Sequence, residues 1–92
     1  MDIFAQIALK IIKEQENIIG PVAIELAKNV SNLQVDWEKR DVVIQGNETQ
    51  VLEELVEKYQ HLFGPASVEV CKEASRQLVA NIPKDQVPKL LQ

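Results

Sequence analysis

Ile18-Ile19-Gly20-Pro21-Val22-Ala23-Ile24-Glu25-Leu26-Ala27-Lys28 returns 44 residues later as Leu62-Phe63-Gly64-Pro65-Ala66-Ser67-Val68-Glu69-Val70-Cys71-Lys72. Gly, Pro, Glu and Lys coincide, and most apolar positions fall on apolar positions. The Gly-Pro pair is the informative part. Proline disfavours the α region for the residue before it and lacks the N–H that would continue a helical ladder. It is nevertheless welcome in the first turn of a following helix. The two segments therefore predict two helix–Gly-Pro–helix halves related by an approximate internal two-fold repeat. The alternative at the first site is one long helix kinked at the proline.

Outward from the first break, residues 3–17 read as an amphipathic helix. Ile3, Ile7 and Ile11 recur at i, i+4 and i+8, with Phe4, Ala8 and Ile12 on the adjacent row and Lys10, Lys13 and Glu14 opposite. The same pattern could lie on a membrane surface, but a core-facing helix gives an equal moment and the polar face carries mixed charge. A second helix is expected over 21–30, with Val22, Leu26 and Val30 as its inner stripe and Ala23 and Ala27 beside them. Around the second break, a third helix over 48–63 has Asn47 as N-cap with Gln50 three residues on. Its apolar face runs Val51, Leu52, Leu55, Val56, Tyr59, Leu62, Phe63; Glu53, Glu54 and Glu57 face water, and Glu54 pairs with Lys58. A fourth helix over 65–81 turns Val68, Cys71, Ala74, Leu78 and Val79 inward until Asn81-Ile82-Pro83 ends it.

Between the halves the period changes. Leu33-Gln34-Val35-Asp36-Trp37 alternates apolar and polar, and Val42-Val43-Ile44-Gln45-Gly46 is a second β-branched run. With Glu38-Lys39-Arg40-Asp41 between them they form a β-hairpin over about 33–45, whose four-residue loop suits a type I turn. Leu33, Val35 and Trp37 share one face with Val42 and Ile44. The tail predicts one short helical turn started by Asp85, docking Leu90 and Leu91 on the core. The fold class is α+β, helix-dominated, in the order αα-ββ-αα, as one domain spanning 1–92.

With 92 residues, 46% of them hydrophobic, the chain has material for one core and hardly two. Aromatics are few, so that core is aliphatic. The net charge of −4 counts against a nucleic-acid partner, which calls for a basic stripe. Cys71 is the only cysteine, so no intramolecular disulfide forms. The N-terminus lacks a signal-peptide pattern, and no apolar run approaches the ~20 residues of a membrane helix. A cytoplasmic protein without a membrane partner is expected.

Candidate chemistry is sparse. His61, at the end of the third helix, has no local nucleophile or orienting partner, and Asn17 occupies the matching place in the first half. Cys71 matches Ala27, which argues for a small buried residue rather than a reactive thiol. One His and one Cys make no metal site, and Glu53 with Glu57 reads as a solvated helix face. Only three glycines exist, each at a break, so there is no phosphate-binding loop. No enzyme, metal or cofactor is expected. The recurring Glu25…Lys28 and Glu69…Lys72 pairs read as surface i,i+3 pairs in preference to equivalent docking surfaces, since matched helices have matched outer faces. Trp37, Lys39 and Arg40 are the candidate interaction residues, because tryptophan with arginine at a loop tip has hot-spot composition. A core anchor is the competing role for Trp37.

The line Leu52…Leu55…Tyr59…Leu62-Phe63-Gly64-Pro65-Ala66, followed by a helix with Val70, Lys72 and Ala74, resembles a small helical domain of unsettled activity. That domain carries an I-G-P-x-A break and stands at the ends of some bacterial signalling proteins, kinases and response regulators among them. Ile18-Ile19-Gly20-Pro21-Val22-Ala23 resembles it as closely. The likeness covers two short segments, and a hairpin between two copies is not part of the family's pattern. It implies a regulatory interaction module. The expected function is thus a non-catalytic protein–protein interaction module that self-associates, a homodimer forming by pairing of an open hairpin edge. The alternative is a small-molecule or lipid carrier with an aliphatic pocket between its helices.

Overall fold

Each Gly-Pro pair separates two helices by the same backbone device. In the computed structural model, which describes residues 1–92, α1 (Ile3–Ile19) gives way to α2 (Val22–Lys28), and α3 (Glu48–Phe63) to α4 (Pro65–Val79). Gly20 has φ 78°, ψ −159° and Gly64 φ 79°, ψ −170°, a region open in practice to glycine alone. Gly20 N–H donates to Glu16 O at 2.9 Å and Gly64 N–H to Gln60 O at 2.8 Å, closing the outgoing helix. Ala23 N–H and Ser67 N–H then donate to the glycine carbonyls, at 3.0 and 3.1 Å, opening the next. Neither site is a kinked continuous helix.

Between α2 and α3 lies the hairpin, β1 (Leu33–Asp36) antiparallel to β2 (Asp41–Ile44). The register sets Leu33 opposite Ile44 and Val35 opposite Val42, so the expected shared apolar face exists. It packs on α1 and α2, with Leu33 and Val42 buried. The order is helix–helix–hairpin–helix–helix, as the periodicity predicts.

One apolar cluster fills the interior. Ile7, Ala8, Ile11 and Ile12 of α1 meet Leu52, Leu55, Val56 and Tyr59 of α3, all fully buried. The apolar face of α1 is therefore spent on the core. At the N-termini, Asp2 Oδ1 accepts from Ala5 N–H at 2.9 Å and Asn47 Oδ1 from Gln50 N–H at 3.0 Å, as N-caps do. The two caps lie close together: partial burial, Asp2's negative charge and a side-chain hydrogen bond with Asp2 all raise the Glu48 carboxyl above its usual range.

Several sequence expectations need correction. Leu62 and Phe63 are not core residues; both are exposed, because α3 runs past the end of the short α2 before it breaks. The inner row of α2 is Ala23, Ile24 and Ala27, with Val22 outside, since the small side chains let α2 approach Tyr59 closely. Glu54 forms no ion pair with Lys58; its Oε2 accepts from Ser31 N–H at 3.0 Å, a backbone donor in the turn between α2 and β1. Glu69–Lys72 does form, at 3.4 Å, but Glu25–Lys28 does not. The tail makes two 3-10 turns, Lys84–Gln86 and Lys89–Leu91, because Pro88 cannot donate to a continuous ladder. Leu91 is buried and Leu90 half-buried; Leu90 N–H donates to Glu53 Oε1 at 3.0 Å.

Candidate functional site

The hairpin loop is built by its own residues. Arg40 N–H donates to Trp37 O at 3.1 Å across the four-residue turn, and Lys39 N–H donates to Asp36 Oδ1 at 3.3 Å. To close the loop Arg40 adopts φ 52°, a left-handed conformation that costs a non-glycine residue roughly 1 kcal/mol. The same conformation carries its side chain back over Trp37, with the guanidinium 4.4 Å from the ring centroid and donating to Trp37 O. A cation–π contact of this kind returns about 0.5–1 kcal/mol at an exposed site.

Trp37 is half-buried, and its contacts are those of a core anchor. Its inner edge packs against the core, and Nε1–H donates to Glu16 Oε2 on α1 at 3.1 Å. Its outer side is covered by Arg40. Lys39 remains exposed beside them. The structure thus brings Trp37 and Arg40 into contact and leaves Lys39 as a free neighbouring charge. On the reverse face of the hairpin Gln34 lies opposite Val43, and Val43 is exposed.

The remaining candidates occupy structural positions. His61 is exposed on the last turn of α3. Glu53 is engaged by the tail, while Glu57 points to solvent, and no three His, Cys, Asp or Glu side chains are placed to hold a metal ion. Cys71 is fully buried. Its matching residue Ala27 is fully buried too, as the repeat predicts.

Sequence patterning missed the polar contact beside that thiol. Gln15 lies on the apolar face of α1, four residues after Ile11, and is 1% exposed. Its Nε2 donates to Ser67 O at 3.0 Å and to Cys71 Sγ at 3.2 Å, joining α1 to α4. Ser75 Oγ–H donates to Cys71 O at 2.8 Å on the same row of α4. The one available signal was Gln15's phase: a glutamine on an apolar row needs a buried acceptor.

Burial pushes the Cys71 thiol up to about 11 from 9.0, and the Gln15 amide offsets part of that shift. The fold therefore favours the neutral thiol. Its contribution to stability is complete below pH 9 and is lost as pH rises from about 9 to about 11, up to about 3 kcal/mol. Cys71→Ala, which installs the residue found at position 27, should flatten the pH dependence of urea stability between pH 9 and 10. Above pH 10 it should only reduce that dependence, because the buried Tyr59 hydroxyl, also pushed up by burial, still contributes. An unchanged slope would place the alkaline sensitivity elsewhere.

No protein-family model matches the chain, and comparison with curated proteins and with solved structures gives no match either. No helix is long and apolar enough to cross a membrane.

Proposed function

We propose that the chain is a non-catalytic protein–protein interaction module, and that the hairpin is a contact surface through which it self-associates. The observation that carries this reading is the division of the hairpin into an anchored and a free side. Leu33, Val42 and the Trp37–Glu16 bond fix it on α1 and α2. Lys39 and Arg40 stay exposed around a rigid aromatic at the tip, and Val43 is exposed on the reverse face. Rigid tryptophan under arginine is the composition of interface hot spots, because little side-chain entropy remains to be lost on binding. Both strands pair on one side only, and an open strand edge is a template for a second copy.

Sedimentation equilibrium at rising concentration tests the reading. A dimer is expected at high micromolar concentration. Lys39→Ala with Arg40→Gly should weaken it by about tenfold or more, the range for losing a hot-spot side chain. Glycine suits the left-handed turn at position 40, so the fold should survive the change. A chain that stays monomeric would remove self-association from the reading.

A further inference from the structure

Large apolar side chains left in water cluster at the Gly-Pro corners. Ile18 is 62% exposed, Leu62 55%, Phe63 42% and Val22 39%. Ile18 and Leu62 occupy matching positions of the two halves, and each stands in a groove between helices. One groove lies between α1 and α4; its α1 wall carries Lys10, Lys13, Glu14 and Ile18. The other lies between α2 and α3; its α3 wall carries Glu54, Glu57, Lys58, His61 and Leu62. A shift of 44 residues takes all four residues of the first wall onto residues of the second; only His61, which matches Asn17, has no counterpart in the first groove. The same shift takes Leu26 of the second groove to Val70 of the first. The α1 and α3 walls are matching surfaces, while Glu73, Arg76 and Gln77 on the α4 wall of the first groove have no counterpart in the second.

Their charges are inverted. Lys10 matches Glu54, Lys13 matches Glu57 and Glu14 matches Lys58, while the apolar Ile18 matches the apolar Leu62. None of these six charged groups has an ion-pair partner within its own chain. Arg76 of the first groove is already neutralised by Glu73 at 2.7 Å. Glu54 lends one carboxylate oxygen to Ser31 N–H, and the other is free. A helix face that merely needs solvation has no reason to take the opposite sign at every matching position.

We propose that the α1–α4 face of one copy docks on the α2–α3 face of a second copy. With the two walls side by side in matching register, three opposite-charge pairs flank an apolar contact of Ile18 with Leu62. Pairing a face with its own duplicate in that register would instead set lysine on lysine and glutamate on glutamate, which is repulsive. The contact is heterologous: each copy keeps one face of each kind free, so association proceeds beyond two copies unless a ring closes. This rests on the reading of the chain as a self-associating module, and adds the helix faces as a second contact beside the hairpin.

Charge-conserving swaps test it in the full chain. Lys13→Glu with Glu14→Lys inverts the first face, and Glu57→Lys with Lys58→Glu inverts the second; neither pair alters the net charge. Wild type should self-associate in sedimentation velocity at low salt, and each single-face swap should weaken association by about tenfold, since opposed pairs become like-charged. The quadruple variant, with both faces inverted, should regain wild-type association. Ile18→Ser, at an exposed position, should weaken it without touching charge. Circular dichroism of each variant should match wild type. If the wild type associates but the swaps leave it unchanged, or the quadruple variant stays dissociated, the face pairing is overturned while the interaction module stands. A wild type monomeric at every concentration overturns both the face pairing and hairpin self-association.

Discussion

Tyr59→Ala is expected to lower the free energy of unfolding by about 3–5 kcal/mol, the range for truncating a large buried aromatic. For a chain of this length the total is roughly 5–14 kcal/mol, so the variant should stand near the limit of folding. Tyr59 is the largest fully buried side chain, and its hydroxyl donates to Ala23 O at 2.8 Å. Two consequences follow from that geometry. The ring fills the space between α3 and the small-residue row of α2, and the hydroxyl ties the two helices together. Tyr59→Phe keeps the ring and removes only the bond, at about 1–2 kcal/mol. Urea titration separates the two contributions. Because α2 has only seven residues, it has little stability of its own, so its amides should lose exchange protection first in Tyr59→Phe. Equal losses in the Phe and Ala variants would show that packing at this site contributes nothing.

Alanine at either Gly-Pro corner should cost about 1–3 kcal/mol, the range for forcing an L-residue into this backbone region. The test is clean because a β-carbon at Gly20 or Gly64 meets no atom within 4 Å. Steric crowding is thus absent, and the whole cost lies in the dihedral angles. Those angles agree within a few degrees in φ and about ten in ψ, so Gly20→Ala and Gly64→Ala should lose nearly the same stability. The double variant should lose about the sum, as separate sites do. Thermal unfolding reads this directly, at about 4–8 °C per kcal/mol for a domain of this size. A large difference between the single variants would mean that the two corners, alike in angle, differ in how far their helices can relax.

The element order was legible because each boundary rests on local chemistry. Gly20-Pro21 and Gly64-Pro65 stop helices through φ and a missing N–H. Asn47 starts one through its side chain, and the alternation of residues 33–37 fixes which side of the hairpin meets the core. What stayed hidden depends on partners distant in the chain. The phase of α3 continues its apolar row to Leu62 and Phe63, but both are exposed, because the length of α2 decides whether anything covers them. Gln15 finds its acceptor 52 positions away, beyond the reach of any window. At the hairpin, sequence placed Trp37, Lys39 and Arg40 at one tip. The stacking of Arg40 on Trp37 follows from a left-handed residue that no turn signal at position 40 announces, and Glu16 as Trp37's partner follows from α1's docking.

Trp37 is the only tryptophan, and it sits at a single seam, where the hairpin meets α1. Its emission therefore reads the hairpin's docking, while far-ultraviolet ellipticity reads the helices. Two independent optical signals are built into one small chain. If they fall together on heating, the hairpin is part of the cooperative unit. If the fluorescence changes first, the hairpin is a flap that lifts from an intact four-helix body, with the Glu16 carboxylate as its latch.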